Sequence, residues 1–305
     1  MKTIESRHLE IDRFRGLAII LMVLVNYLSG VDFIPALMKH APDIGFTIAD
    51  TIAPFFIFAI ALNFGPAMDK RLQQGRLSAY MHFVTRYFAL VGIGALFTLG
   101  GTTVAGQPTD WGVLQAIGVA GLICLLFIRC RCTVRFAAGV IILCAYQFTL
   151  DNWTLQTVLG SVQGGFYGTL SWGAMLIIAT VMADQWRRGM KPYVILCSVI
   201  SVVGAVSAFI EPVSKHRVSI SYVFITLAIS GFVFLLFSIG SRRFHFPAGF
   251  LCWWGENPIT LYILHLMILG IFAIPSAPWW YAGAPPWLVV LQLAVLFGLL
   301  SLAAY

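Results

Sequence analysis

The stretch LAIILMVLVNYLSG (residues 17–30), VDFIPALMKHAPDIGFTIAD (31–50) and TIAPFFIFAIALNF (51–64) decides the fold of this chain. Two long apolar runs flank a more polar connection. Asn26 lies near the middle of the first run, His40 lies in the connection, and Asp50 ends it. Apolar runs of this length are typical of membrane-spanning helices, in which a polar side chain must find a partner or take part in chemistry.

The composition extends this pattern to the whole chain. Of the 305 residues, 60% are hydrophobic and only 10% are charged, whereas soluble domains carry about 25% charged residues. We therefore predict an all-α, polytopic integral membrane protein. It forms one domain over residues 1–305, with a cytoplasmic N-terminal segment at 1–15 and a helical bundle at 16–304. The net charge of +7 does not indicate nucleic acid, because the basic residues lie in short clusters between apolar runs. The six cysteines are scattered, so no metal site is expected.

The apolar segments predict ten membrane-spanning helices, each close to the roughly 20 residues that a bilayer requires. They cover residues 16–28 (or to 37 with a break), 47–65, 79–101, 112–128, 134–150, 166–183, 192–210, 219–240, 258–274 and 287–304. With the N-terminus inside, only Lys39, Lys215 and Arg217 of the 19 lysines and arginines fall on the outer side. This bias predicts that both termini are cytoplasmic.

Three polar residues of the first stretch are candidates for catalysis. Asn26 lies about 15 Å along the first helix, where it either bonds a neighbouring helix or donates to a developing oxyanion. His40 is predicted on the outer side, and histidine is the usual general base near neutral pH. Asp50 either interacts with the start of the second helix or orients and charge-stabilises His40.

A second group of polar residues lies toward the cytoplasmic side. Arginines at an inner membrane surface either anchor the helix in the interface or bind the phosphates of a cytosolic donor. Asn257 is a predicted N-cap before Pro258, and His265 lies about 10 Å farther in, where an interhelical hydrogen bond is the simpler interpretation. The candidates for donor binding are Arg13, Arg15, Arg86, Arg242, Arg243, Asn257 and His265.

Two motifs make the chain similar to a known family, the heparan-α-glucosaminide N-acetyltransferases and their bacterial relatives. The N-terminal stretch resembles the family pattern D-x-x-R-G, N-Y, H-A and G-x-T-x-A-D-x-x-x-P-x-F-x-F. The segment GENPITLYILH (residues 255–265) resembles its G-x-N-x-x-x-x-Y-x-x-H motif. The N-terminal pattern is carried by Asp12, Arg15, Gly16, Asn26, Tyr27, His40, Ala41, Gly45, Thr47, Ala49, Asp50, Pro54, Phe56 and Phe58.

The resemblance implies a transmembrane acetyltransferase that takes acetyl-CoA from the cytoplasm and acetylates a sugar or glycan amine across the membrane. It implies His40 as the catalytic histidine and Asn26 as the catalytic asparagine. It also implies a bacterial inner-membrane location and a homodimer, with acetyl-CoA as co-substrate and no metal.

Two other functions fit the residues. A proton-coupled transporter of a polar solute could relay protons through His40, Asp50 and Glu211. A sugar O-acyltransferase of similar membrane design would need the same base and the same donor. Transfer of labelled acetyl groups to an amine, to a hydroxyl or to nothing separates these functions.

Overall fold

The computed structural model describes residues 8–99, 103–104, 107–108, 111–244 and 247–305, so residues 1–7 of the predicted N-terminal segment lie outside it. In the described residues the regular secondary structure is helical apart from one short pair of antiparallel strands, β1 (Thr103–Val104) and β2 (Gln107–Pro108). The α-helices are α1 (Leu9–Ser29), α2 (Ile52–Leu72), α3 (Arg76–Thr98), α4 (Val113–Phe127), α5 (Cys132–Thr149), α6 (Leu155–Leu159), α7 (Gly165–Arg188), α8 (Met190–Ile210), α9 (Ile220–Arg243), α10 (Phe250–Glu256), α11 (Pro258–Ala273) and α12 (Pro286–Ala304).

Shorter helical turns connect some of these elements. A 3₁₀ turn at Ala36–Met38 follows α1, and a second at Ile48–Thr51 leads directly into α2. A π-helical turn at Leu150–Thr154 joins α5 to α6, so this helical segment continues beyond its predicted end at residue 150.

Each of the ten predicted segments contains a helix, but several predicted boundaries are wrong, with the largest differences at α1 and α2. α1 begins at Leu9 rather than at residue 16, so the end of the predicted N-terminal segment is helical. α2 continues to Leu72 through the charged residues that the sequence analysis placed outside the span. Hydropathy falls at charged side chains, whereas the backbone hydrogen bonds of a helix continue through them because those side chains can reach water or a partner.

In the part of the chain that the structure describes, seven helical segments are long and apolar enough to cross a membrane. α10 and α11 form a pair bent by 91°, and counting that pair as one span gives eight. α1 carries Asp12, Arg13 and Arg15 near its start, and α4 is only 15 residues long. The helical architecture is therefore confirmed and these apolar helices support the membrane character, while the count of ten spans and the orientation stay predictions.

The chain divides into two compact units. The first contains residues 1–40, 47–56 and 232–305, and the second contains residues 41–46 and 57–231. All the predicted site residues except Arg86 belong to the first unit. The single domain predicted from the sequence stays a prediction.

In the first unit, α1 and α10 pack with their backbones in close contact. A Cβ atom on Gly16 would lie 1.9 Å from the carbonyl oxygen of Leu251, and one on Gly255 would lie 2.0 Å from the carbonyl oxygen of Asp12. No larger residue fits at either position without moving a backbone, so glycine is required there. The same region is filled by the ring of Phe14, which contacts other aromatic rings of the unit.

In the second unit, α7 forms the centre and is buried along most of its length, against α4, α5 and α8. Asp184 of α7 forms an ion pair with the buried Arg135 of α5, and Arg135 also donates to the Thr180 hydroxyl at 3.0 Å. The two terminal nitrogens of the buried guanidinium are therefore paired inside the apolar bundle, whereas its Nε–H makes no hydrogen bond among the described residues.

Candidate active site

The histidine loop, which we define as residues 39–47, places His40 beside Asp50. The His40 Nδ1–H donates to Asp50 Oδ1 at 2.9 Å. The Asp50 side chain is fully buried, whereas 38% of the His40 side chain is exposed. A carboxylate can only accept, so the neutral His40 ring carries its proton on Nδ1 and leaves Nε2 as a proton acceptor.

Thr47 holds the Asp50 carboxylate in place. Asp50 Oδ2 accepts both the backbone N–H and the hydroxyl of Thr47, each at 3.0 Å. The same hydroxyl lies 2.8 Å from the carbonyl oxygen of Lys39, which closes the two ends of the histidine loop onto each other. Thr47 is the N-cap of the helical turn, and Asp50 is its third residue. The bond from the Asp50 carboxylate back to the Thr47 N–H is part of a capping box. Local chain geometry therefore brings His40 and Asp50 together.

Asn26 occupies the middle of α1 and is bonded to His265 of α11. The Asn26 Nδ2–H donates to His265 Nε2 at 2.9 Å, across 239 residues of sequence. His265 is completely buried. The interhelical hydrogen bond that the sequence allowed for both residues is therefore present.

The rest of the Asn26 amide makes no hydrogen bond among the described residues. An amide nitrogen carries two hydrogens, so one remains after the bond to His265. Because His265 accepts through Nε2, its neutral ring carries the proton on Nδ1. That Nδ1 forms no hydrogen bond of normal geometry, although the backbone groups of Leu261 and Tyr262 lie beside the ring.

The two arginines at the start of α1 have different partners. Arg13 is buried and donates to Ser241 Oγ at 2.7 Å and to the Pro247 carbonyl oxygen at 3.2 Å. Arg15 donates to the Gly255 carbonyl oxygen at 2.8 Å and approaches Asp12 Oδ1 at 3.4 Å, with 21% of its side chain exposed. Arg13 therefore fastens α1 to the end of α9 and the segment beyond it.

The other predicted donor-binding residues are exposed. Arg242 and Arg243 lie in the last turn of α9, and Asn257 lies at the break between α10 and α11. Asn257 takes the predicted position before Pro258, but its side chain makes no capping hydrogen bond. Arg86 is exposed on α3 in the second unit, so the structure does not group it with the others.

A family model described as the heparan-alpha-glucosaminide N-acetyltransferase catalytic domain matches residues 7–210 of this chain. The chain belongs to that family. It is 35% identical over 117 residues to the heparan-alpha-glucosaminide N-acetyltransferase of Mus musculus, which covers 36% of this chain and 17% of the mouse protein. It is 32% identical over 127 residues to the human protein of that name, covering 39% of this chain and 18% of the human protein. The similar segments thus span less than a fifth of these relatives.

The family match covers the histidine loop and α1 but not the C-terminal part of the site. Asn26, His40 and Asp50 lie within residues 7–210, as do Arg13, Arg15 and Arg86. The remaining candidates, Arg242, Arg243, Asn257 and His265, lie beyond the matched residues. For Asn257 and His265 the basis for a role is the C-terminal sequence motif, and for Arg242 and Arg243 it is their charge at the end of α9.

Two supporting groups were not given a role by the sequence analysis. Thr47 orients Asp50, and the pattern of a threonine three residues before an acidic residue at a helix start is the signal that would have identified it. Asp43 binds Arg217, which the sequence predicted only to lie on the outer side. No local pattern predicts that pair, because its members lie 174 residues apart.

Proposed function

We propose that this chain is a membrane-embedded acyltransferase of the bacterial inner membrane. It transfers an acetyl group from cytosolic acetyl-CoA to the amine of a sugar or glycan on the outer side. The observation that carries the proposal is the His40–Asp50 hydrogen bond, located inside the segment that matches an N-acetyltransferase family. A histidine whose tautomer and orientation are fixed by a buried carboxylate is suited to general-base catalysis near neutral pH.

The proposed chemistry needs a base because only a neutral amine can attack a thioester. The amine nitrogen attacks the carbonyl carbon and forms the new C–N bond. His40 Nε2 accepts the proton that the nitrogen loses. When the tetrahedral intermediate collapses, the C–S bond breaks and CoA leaves as a thiolate, which takes a proton in turn. We propose direct transfer, without an acetyl-histidine intermediate.

Asn26 is proposed to stabilise the oxygen of the tetrahedral intermediate. The second hydrogen of its amide is not used by His265, so it can donate to the thioester oxygen as negative charge develops there. In this role His265 fixes the direction of the amide before the substrate arrives. Preorganised donors of this kind lose no energy to reorientation during the reaction.

The donor's phosphates are proposed to bind arginines at the cytoplasmic side of the first unit. Arg15 is partly exposed, and Arg242 and Arg243 are exposed, so their guanidinium groups can reach a phosphate. The contacts of Arg13 favour a supporting role, in which it keeps α1 in place. The roles of Arg86 and Asn257 in donor binding, and the homodimer, remain predictions from the sequence.

An acetyl-transfer assay separates this function from the alternatives. Purified protein is incubated with radiolabelled acetyl-CoA and either glucosamine or glucose, and the products are separated. We expect label on the amine of glucosamine and none on glucose or, without an acceptor, on the protein. Label on a hydroxyl identifies an O-acyltransferase, and solute uptake by proteoliposomes without acetyl transfer identifies a transporter. His82→Ala is the matched control, since His82 is an exposed histidine of α3.

The proposed direction of transfer depends on the topology, with ten spans and both termini cytoplasmic. Single cysteines are introduced at Lys39 and Arg188 in a cysteine-free variant and labelled with an impermeant maleimide. We expect position 39 to be labelled from the outer side and position 188 from the cytoplasmic side. Labelling of both positions from one side contradicts the topology.

A further inference from the structure

The tip of the histidine loop is bound by a second loop of the chain, which we call the anchor loop and define as residues 211–219. Asp43, three residues after His40, accepts the Arg217 Nε–H at 2.9 Å through Oδ1 and is bonded to Arg217 Nη2 through Oδ2. Its Oδ1 also accepts the Ser214 hydroxyl at 3.0 Å. The Gly45 N–H donates to the Val213 carbonyl oxygen at 2.9 Å. Two residues of the tip are therefore fixed by side-chain and backbone bonds.

The anchor loop is itself rigidly held. The Arg217 carbonyl oxygen accepts the Tyr146 hydroxyl at 2.6 Å, and the next carbonyl, of Val218, accepts the Ser171 hydroxyl at 2.7 Å. The Arg217 N–H donates to Ser214 Oγ at 3.1 Å, so one serine contacts both members of the ion pair. The backbone of Arg217 is therefore held by hydrogen bonds at its N–H, at its carbonyl oxygen and at the carbonyl oxygen of the next residue.

The Asp43–Arg217 pair has the geometry of a strong interaction. A planar guanidinium that meets both carboxylate oxygens is directional, unlike a single-point lysine contact. The guanidinium holds the pKa of the Asp43 carboxyl below its usual range, so the carboxylate is ionised at neutral pH. By contrast, the Asp69–Arg129 pair of the second unit joins two side chains that are more than half exposed. Exposed ion pairs of that kind contribute little to the stability of a fold.

The histidine loop is thus held both at its ends and at its tip. Its ends are held by the hydrogen bonds that Asp50 accepts from Thr47 and from His40, and its tip is bound through Asp43. Only two residues separate His40 from Asp43. We therefore expect a displacement of the Asp43 backbone to move the backbone of His40 as well. We propose that the Asp43–Arg217 ion pair is a positioning device for His40, which keeps Nε2 directed at the acceptor amine. This inference rests on the proposed function of His40.

The test uses Asp43→Asn, Arg217→Gln and the double variant, with Asp69→Asn as the matched control. We expect each single change to lower kcat about tenfold, since a 1 Å displacement of a catalytic group can cost as much as roughly 100-fold. The Kd for acetyl-CoA should stay unchanged, and the double variant should lose no more than either single one. Asp69→Asn should leave kcat as it is. Unchanged kcat in Asp43→Asn, or losses that add fully in the double variant, would overturn the proposal.

Hydrogen–deuterium exchange provides a readout that does not depend on catalysis. Backbone amides of residues 40–47 should exchange faster in Asp43→Asn and Arg217→Gln, while those of α7 keep their wild-type rates. If the wild-type protein transfers no acetyl group but this exchange still rises, the proposed function fails and the loop coupling stands. If exchange at 40–47 does not change, the coupling is wrong whatever the activity. Should Asp43→Asn not fold, Ser214→Ala removes one bond to Asp43 and is measured in the same way.

Discussion

The first unit contains two polar pairs, one in a loop and one between helices, that are built in different ways. His40 and Asp50 are ten residues apart, and the histidine is partly exposed while the carboxylate is buried. Asn26 and His265 are 239 residues apart, on helices whose packing encloses the histidine completely. We propose that the loop pair exchanges a proton with the substrate, whereas the helix pair presents a hydrogen-bond donor.

This difference assigns different steps of the proposed reaction to the two pairs. A general base must gain and lose a proton in each cycle, so it needs an exposed nitrogen and a stable tautomer. An oxyanion donor must instead be rigid and keep its proton. The predictions below test this division by changing one member of a pair at a time.

The largest effect is expected from His40→Ala. Removal of the base should abolish measurable acetyl transfer, because the amine then has no group to accept its proton. Equilibrium binding of labelled acetyl-CoA should remain as in the wild type, since His40 is proposed to act on the acceptor. His82→Ala serves as the control and should retain activity. Substantial turnover by His40→Ala would show that His40 is not the base. His265 and His216, a residue of the anchor loop, would then be the next histidines to test.

The next largest effect is expected from Asn26→Ala. Loss of one oxyanion donor lowers kcat by roughly 100- to 1000-fold in enzymes where it has been measured. The pH dependence of kcat/KM should keep its shape, because the base at His40 is untouched. Steady-state rates over a range of pH measure both quantities. An Asn26→Ala enzyme with normal kcat and a lower melting temperature would show that the helix pair only joins α1 to α11.

The sequence predicts a polar pair better when its two members lie close together along the chain. The His40–Asp50 pair depends on a short loop and a helix start, so residue spacing and the family motif indicated both members. The Asn26–His265 contact depends on how α1 and α11 pack, which no local pattern specifies. The sequence therefore indicated both residues and allowed an interhelical hydrogen bond for each, but it could not show that they bond to each other.

The start of α1 shows the same limit. Hydropathy placed Arg13 outside the helix, and its charge made it a candidate for anchoring or for phosphate binding. The structure includes it in α1 and bonds it to Ser241, 228 residues away. The sequence shows that a residue is charged, but it cannot show that the charged side chain is already hydrogen-bonded to another part of the protein. The break before α11, by contrast, was predicted at the right residue because Pro258 determines it locally.

A smaller effect is expected from Arg15→Ala, which tests the donor side of the first unit. Loss of one charge-assisted contact to a phosphate should weaken acetyl-CoA binding by about 1.5–3 kcal/mol, or roughly ten- to 150-fold in Kd. Arg13→Ala, in comparison, should lower the melting temperature more than the affinity, because its guanidinium bonds the protein itself. Isothermal titration and thermal unfolding measure the two responses. Unchanged affinity in Arg15→Ala would assign that residue to lipid anchoring.

The smallest effect is expected from His265→Phe, which keeps an aromatic ring in the enclosed site and removes the acceptor for Asn26. Interhelical hydrogen bonds in membrane proteins contribute about 0.6–2 kcal/mol, and loss of the bond lets the Asn26 amide rotate away from the thioester. We therefore expect kcat to fall by roughly three- to 30-fold, with little change in the Kd for acetyl-CoA. His265→Gln, which restores an acceptor, should recover part of the loss. A weaker Kd with normal kcat would instead identify His265 as a donor-binding residue, which is the other role for which the sequence made it a candidate. The split between kcat and Kd thus decides whether the enclosed histidine acts through Asn26 or on acetyl-CoA.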